Sequence, residues 1–217
     1  MLLNIYKPVG WTSFDVVKKI RGITKKKKVG HAGTLDPFAE GILIIGTGVD
    51  TKKLAALSSQ DKSYIATLDL GSETDTLDVE GKIINSKKVP HLSIVEIRKV
   101  LSGFLGKQMQ IPPMYSAKKI NGTRLYQLAR ENIEIKRNSI EIEIKNIDLI
   151  DYVTPKVKFK VTCSKGTYIR VLGSDIAKKL GTVGYLSKLI RTSVGDYPIS
   201  ESIKIDQFEK EWKNISV

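Results

Sequence analysis

The apolar residues of this chain fall into short runs whose period switches between two and about 3.6. Leu2 to Tyr6 reads as a strand, and Lys7-Pro8-Val9-Gly10 after it as a turn. Ser13 is placed to cap a helix running to about Arg21, with Phe14, Val17 and Ile20 on one face. Gly41 to Gly48 reads as a buried strand and Asp50 to Leu57 as a short helix. Residues 64 to 70 alternate as a strand. Ser93 followed by Glu96 is a capping-box pattern for a helix reaching about Leu101.

Residues Gln108 to Arg137 break the pattern, being rich in proline and basic residues, with two tyrosines. Beyond them, Ser139 to Ile150 alternates isoleucine with charge, as a half-exposed strand does, and Thr154 to Cys163 is another strand. Tyr168 to Leu180 reads as a helix after a glycine turn. Leu186 to Tyr197 passes into a strand, and Asp206 to Trp212 is a final helix. Long antiparallel candidates mixed with helices predict an α+β fold rather than a doubly wound sheet. The expected architecture is a mixed, largely antiparallel central sheet flanked by helices, and neither a long linker nor a repeat is evident.

Charge adds a partner to this picture. Lys and Arg number 36 against 23 Asp and Glu, a formal charge of +13 with a pI near 9.6, the electrostatic footprint of a nucleic-acid binder. The plainer alternative is a surface of solvated lysines. The single cysteine, Cys163, cannot form an internal disulfide and reads as a small buried side chain in a reducing compartment. No run approaches the roughly 20 apolar residues of a membrane span. The N-terminus lacks the basic and apolar regions of a signal peptide. A cytoplasmic protein with no membrane partner is expected.

Most familiar chemistries find no support. His31 and His91 are the only histidines, and neither has metal-ligand spacing, so no metal site is expected. There is no Walker loop, Gly46-Thr47-Gly48 reads as a turn, and no serine sits in a nucleophile elbow. What remains is Asp36, in Gly30-His31-Ala32-Gly33-Thr34-Leu35-Asp36-Pro37, directly after the run Lys25 to Lys28. Pro37 forces Asp36 into an extended conformation, and Gly30 and Gly33 leave the backbone open to approach. An aspartate before proline is ordinarily a turn residue. Elsewhere, Ser164-Lys165-Gly166-Thr167-Tyr168-Ile169-Arg170 presents a tyrosine and an arginine across a glycine turn, and Lys62-Ser63-Tyr64 sets another tyrosine near a lysine. Aromatic planes with Arg and Lys are ingredients for holding a splayed-out RNA base. Both tyrosines read equally well as core strand residues.

Taken in order, these motifs resemble the TruB type of tRNA pseudouridine synthase. The resemblance runs through Lys7-Pro8-Val9-Gly10-Trp11-Thr12-Ser13, the Gly30 to Pro37 stretch and Lys62-Ser63-Tyr64. It continues in Gln110 to Lys119, Gly122 to Tyr126, Ala129-Arg130, Gly166 to Arg170 and Leu189 to Thr192. Each motif is short, but their order and spacing are specific. The resemblance implies the pseudouridine synthase fold and isomerisation of uridine to pseudouridine at position 55 of the tRNA T loop. The base is detached, rotated and rejoined through C5 without any cofactor.

The resemblance also assigns residues. Asp36 matches the catalytic aspartate, attacking base or sugar. Tyr168 matches a tyrosine assisting proton removal from C5, and Arg170 an arginine pairing with the aspartate. Tyr64 matches the tyrosine that stacks on the target base, Leu189 an apolar residue of the pocket, and His31 a histidine that helps hold the T loop with its base flipped out. The segment 108–137 corresponds to a thumb-like insertion that closes on RNA, where Lys118, Lys119, Arg124 and Arg130 suit phosphate contacts. The expected organisation is one catalytic domain over residues 1–217, acting as a monomer, without the small C-terminal RNA-binding domain of the PUA type that many relatives carry. The alternative function is an RNA-binding or tRNA-folding module with catalysis lost or secondary. The intact Asp36, Tyr64, Tyr168 and Arg170 set argues against it, since a binder needs no carboxylate among phosphates.

Overall fold

In a computed structural model of the chain, residues 1–120, 122–131 and 133–215 are described. The N-terminal elements are β1 (Leu2–Lys7), α1 (Ser13–Thr24), β2 (Val29–Ala32) and β3 (Glu40–Thr47), followed by a 3-10 turn and α2 (Leu54–Ser59). Next come β4 (Lys62–Leu70), the hairpin β5 (Ser72–Thr74) and β6 (Ile83–Ser86), α3 (Ile94–Ser102) and β7 (Gly106–Gln110). The insertion contributes β8 (Lys119–Ile120), β9 (Thr123–Arg124) and α4 (Leu125–Arg130). The chain continues as β10 (Ile140–Val153), β11 (Lys156–Cys163), α5 (Ile169–Lys179) and β12 (Gly184–Val194). It closes with β13 (Tyr197–Pro198), β14 (Ile203–Lys204) and α6 (Ile205–Ile215). The strands are mixed and mostly antiparallel, in an α+β arrangement.

Two compact units emerge: Met1–Tyr64 with the residues from Leu189 onward, and Ile65–Lys188. The first is organised around β3, which is apolar from Ile42 to Ile45 and covered on both faces. Leu43 and Ile45 join Ile5, Val16, Val17, Ile20, Ile205 and Phe208 on the side of α1 and α6. Ile42 and Ile44 join Leu54, Leu57 and Val194 on the side of α2. A strand buried on both faces reads as a continuous apolar run because each residue has a core to enter. One edge of β3 pairs antiparallel with β1; the other pairs parallel with β12 at its start and antiparallel with β2 at its end.

In the second unit β10 and β11 form a long antiparallel hairpin, and β7 pairs antiparallel with the other edge of β10. The alternation Ile142, Ile144 on β10 and Val157, Phe159, Val161, Cys163 on β11 puts one face in the core, where α3 packs on β10 and α5 against α3. Register shifts after Ile144 and Leu149 mark bulges in β10.

The helix α1 differs from the sequence expectation. Its cap is Thr12, closed by a capping box with Asp15, one residue before Ser13. The inward face is Val16, Val17, Ile20 and Thr24, while Phe14 is 62% exposed. The one-residue shift frees the Ser13 hydroxyl for another use, described below. Two stretches for which the sequence predicts no element also carry strand: residues 29–32 pair with β3, and residues 72–86 hold the β5–β6 hairpin.

Candidate active site

In the first unit, Asp36 lies in the loop between β2 and β3, half-buried, with Leu35 and Phe38 turned into the core on either side. The backbone of this loop is held by side chains from three other elements. The Ser13 hydroxyl, at the start of α1, donates to the Leu35 carbonyl at 3.1 Å and accepts from the Leu35 N–H at 2.9 Å. Arg191, on β12 and only 1% exposed, donates to the carbonyls of Gly33 (3.2 Å), Thr34 (3.3 Å) and Ile42 (2.7 Å). Lys7, at the end of β1 and fully buried, donates to the carbonyls of Pro37 (3.3 Å), Pro8 (2.9 Å) and Trp11 (2.6 Å). The Gly10 N–H adds a bond of 2.8 Å to the Pro37 carbonyl.

A third buried cation, Lys62, donates to the carbonyls of Ser58 and Gln60, both at 2.6 Å, and its stem passes beside Gly33. Burying an ammonium or guanidinium is costly without partners. Here carbonyl dipoles supply them, and positive charge sits under the Asp36 loop. Beyond the loop, the Tyr6 hydroxyl donates to Glu40 at 2.7 Å. Burial first, and this bond second, push the Tyr6 phenol up to about 12.

The parallel contact that brings Arg191 to the loop depends on Gly41. Its φ is +109°, and a Cβ there would lie 2.3 Å from the Arg191 carbonyl oxygen. Any side chain would force β3 and β12 apart.

In the same unit, His31 is half-buried on β2, opposite Ile45 on β3. Tyr64 and Leu189 are buried on β4 and β12.

The second unit carries Tyr168 and Arg170, where a glycine turn leads from β11 into α5. Gly166 has φ +81°, and Tyr168 is the N-cap residue of α5, though its side chain makes no capping bond. Arg170 is 3% exposed. Its guanidinium donates to the carbonyls of Thr76 (2.6 Å) and Tyr115 (2.7 Å) and lies 3.4 Å from the Asp78 carboxylate. Asp78 is buried in the tip of the β5–β6 hairpin, where its carboxylate also accepts from the Thr76 hydroxyl and the Glu80 N–H. Between Thr76 and Asp78 stands Leu77, with φ +62°, a strained conformation for a bulky residue. Tyr168 is held through its main chain. Its N–H donates to Oε1 of Gln110 at 2.8 Å, and its carbonyl accepts from Nε2 of the same amide at 3.1 Å.

The insertion belongs to this unit too. Lys119 and Arg124 face each other across the β8–β9 pair. The guanidinium carbons of Arg124 and Arg130 lie 6.0 and 5.5 Å from the centre of the Tyr126 ring. Lys119, Arg124 and Arg130 are exposed and Lys118 is half-buried.

Among the described residues, no three His, Cys, Asp or Glu side chains cluster as metal ligands would. No helix among the described residues is long and apolar enough to cross a membrane. From the sequence, Lys7, Asp78, Gln110 and Arg191 have no assigned role, and Ser13 has only that of a helix cap. Buried cations and a buried glutamine look in sequence like solvated surface. The one available signal was that four of the five lie in short motifs, and Asp78 in none.

Three kinds of similarity bear on these geometries. Residues 21–169 match the TruB family pseudouridylate synthase, N-terminal domain. The chain is 47% identical to a tRNA pseudouridine synthase B of Clostridium kluyveri, over 97% of its length and 72% of the relative's. It is 46% identical to the protein of the same name from Clostridium tetani, over 97% and 73% of the two chains. Among solved structures, a chain of a Cbf5-Nop10-Gar1 complex superposes on all of this one with a TM-score of 0.77 at 27% identity, the match spanning 56% of that chain.

Proposed function

Because the chain belongs to the TruB family of pseudouridylate synthases, we propose that it isomerises uridine at position 55 in the tRNA T loop, with Asp36 as nucleophile on a flipped-out base. Uridine and pseudouridine are isomers, so the reaction balances without a co-reactant. The bond from C1′ to N1 breaks, one from C1′ to C5 forms, C5 loses a proton and N1 gains one. A carboxylate serves as the transient partner that separates bond breaking from bond making.

The observation that carries this reading is the support of the Asp36 loop. Hydrogen bonds from Ser13, Lys7 and Arg191 fix the main chain at Gly33, Thr34, Leu35 and Pro37. A nucleophile gains most from such a preorganised mount, because its orientation is settled before substrate arrives. Tyr64 stacks on the flipped base, offsetting part of the few kcal/mol that flipping costs. Tyr168 assists proton removal, and Arg170 pairs with the nucleophile. His31 and Leu189 shape the site. Lys118, Lys119, Arg124 and Arg130 meet T-arm phosphates. Like charges opposed across a strand pair are destabilising, so a phosphate between Lys119 and Arg124 would relieve them. One chain carries every group named, which suits a monomer acting on cytoplasmic tRNA.

The test is Asp36→Asn, near-isosteric but not nucleophilic. Pseudouridine, mapped chemically in tRNA, is expected to fall to background while tRNA binding persists. Residual turnover above a trace would remove Asp36 from the role.

A further inference from the structure

Gln110 is the last residue of β7 and lies at the root of the 108–137 insertion, and it is only 4% exposed. Its side chain could have hydrogen-bonded along its own sheet. Instead the whole amide is used on one distant residue: Oε1 accepts from the Tyr168 N–H at 2.8 Å and Nε2 donates to the Tyr168 carbonyl at 3.1 Å. Two bonds to one peptide-bearing residue imitate a strand pair and fix both position and rotation of that segment. The arrangement does work a helix cap would ordinarily do. Tyr168 is the N-cap of α5, yet no side-chain capping bond is made by its own phenol.

We propose that Gln110 is a positioning residue for the isomerisation, its amide setting the main chain from which the Tyr168 ring projects and fastening the root of the insertion to that tyrosine. The proposal rests on the reading of Tyr168 as the residue that assists proton removal. A second contact makes the same connection five residues on: the Tyr115 carbonyl accepts from Arg170 at 2.7 Å. The stretch Ile111 to Met114 is thus pinned at both ends to the turn that carries Tyr168 and Arg170. Tyr115 in turn adjoins Ser116, whose carbonyl accepts from the Tyr126 N–H at 3.0 Å, and Tyr126 stands between Arg124 and Arg130. The basic face of the insertion and the catalytic turn share one hydrogen-bonded frame within this unit.

The test uses full-length protein and unmodified tRNA. Gln110→Met keeps volume and removes both bonds, so single-turnover pseudouridine formation is expected to slow on the order of 100-fold, the cost of a misplaced reacting group. The dissociation constant for tRNA should move less than threefold by the same reasoning, because no phosphate contact is touched. Gln110→Glu supplies a rescue. Its protonated acid can both accept from the N–H and donate to the carbonyl, whereas the carboxylate opposes the carbonyl. Its rate relative to wild type should therefore recover as pH is lowered from about 8 to about 5. In the Tyr168→Phe background, Gln110→Met should add little, since the group being positioned is already gone. Wild-type turnover for Gln110→Met, independent multiplication of the two effects, or loss of tRNA affinity in parallel with rate would each overturn the proposal. If Gln110→Met does not fold, the proposal stands or falls on the pH recovery of Gln110→Glu. A Tyr168→Phe enzyme at full rate would instead refute the role of Tyr168, a separate and distinguishable failure.

Discussion

Arginine 191 reaches three carbonyls with one planar fork, and lysine cannot do so from the same position. Arg191→Lys keeps the charge and leaves buried carbonyls unmatched. A stability loss of about 1–3 kcal/mol follows from orphaned buried acceptors, read as a lower urea midpoint. Pseudouridine formation should fall about tenfold or more beyond any effect of unfolding, because the mount of Asp36 loosens. A variant with an unchanged rate at a lower midpoint would make Arg191 purely structural. Asp175 on α5 offers a pH-dependent counterpart. Burial raises its carboxyl, with Lys178 opposing, so its ionised form is disfavoured in the folded protein. A raised acid holds its proton longer in the native state than in the unfolded chain. Stability therefore declines as pH climbs from the unfolded value, about 3.9, through the higher folded value. Asp175→Asn should raise the urea midpoint at neutral pH, and the advantage should vanish below pH of about 4.

Among the elements, the insertion carries the clearest solution test. Each phosphate contact contributes roughly −0.7 to −0.9 to the slope of log K against log salt. Neutralising Lys118, Lys119, Arg124 and Arg130 together should flatten the slope for tRNA binding by roughly 3 and leave preference for the T loop over a scrambled hairpin less altered. An unchanged slope would place the RNA contacts elsewhere. The elements with strong local signals were legible beforehand: β3 from its unbroken apolar run, α3 from the Ser93 and Glu96 box, which forms as expected, and β10 and β11 from alternation. Those missed are short or one-sided. β6 is exposed at all four residues, so no alternation betrays it. β2 exists because β3 offers it a partner edge, a tertiary cause that local sequence does not carry. In α1, Ser13 reads as the cap from local sequence, but Leu35 claims its hydroxyl and Thr12 caps the helix instead, a tertiary cause that local sequence does not carry.

Over the whole molecule, the charge of +13 pointed to a polyanionic partner, but it did not say which cations face solvent. Lys7, Lys62 and Arg191 are buried and spend their donors on carbonyls, so they belong to the frame. The basic motifs carried Asp36, Tyr64, Tyr168 and Arg170 as candidates, whereas the residues holding them had no signature, because a hydrogen bond to main chain imposes no pattern on the partner's sequence. A cleft of about 1340 Å³ is lined by Trp11, Lys18, Lys25 and Trp212 and by none of those four candidates.

The same main-chain bonding has a consequence for how this loop can change over time. Ser13, Lys7 and Arg191 grip the stretch from Gly33 to Pro37 by its peptide groups. The loop's shape is therefore dictated from outside, and its exposed member, Thr34, is at liberty to mutate without disturbing the geometry of its neighbour Asp36. Gly41 is the opposite kind of position, closed to every other amino acid by the carbonyl that presses on it. A lineage adapting to new RNAs would find its latitude at the first and its veto at the second.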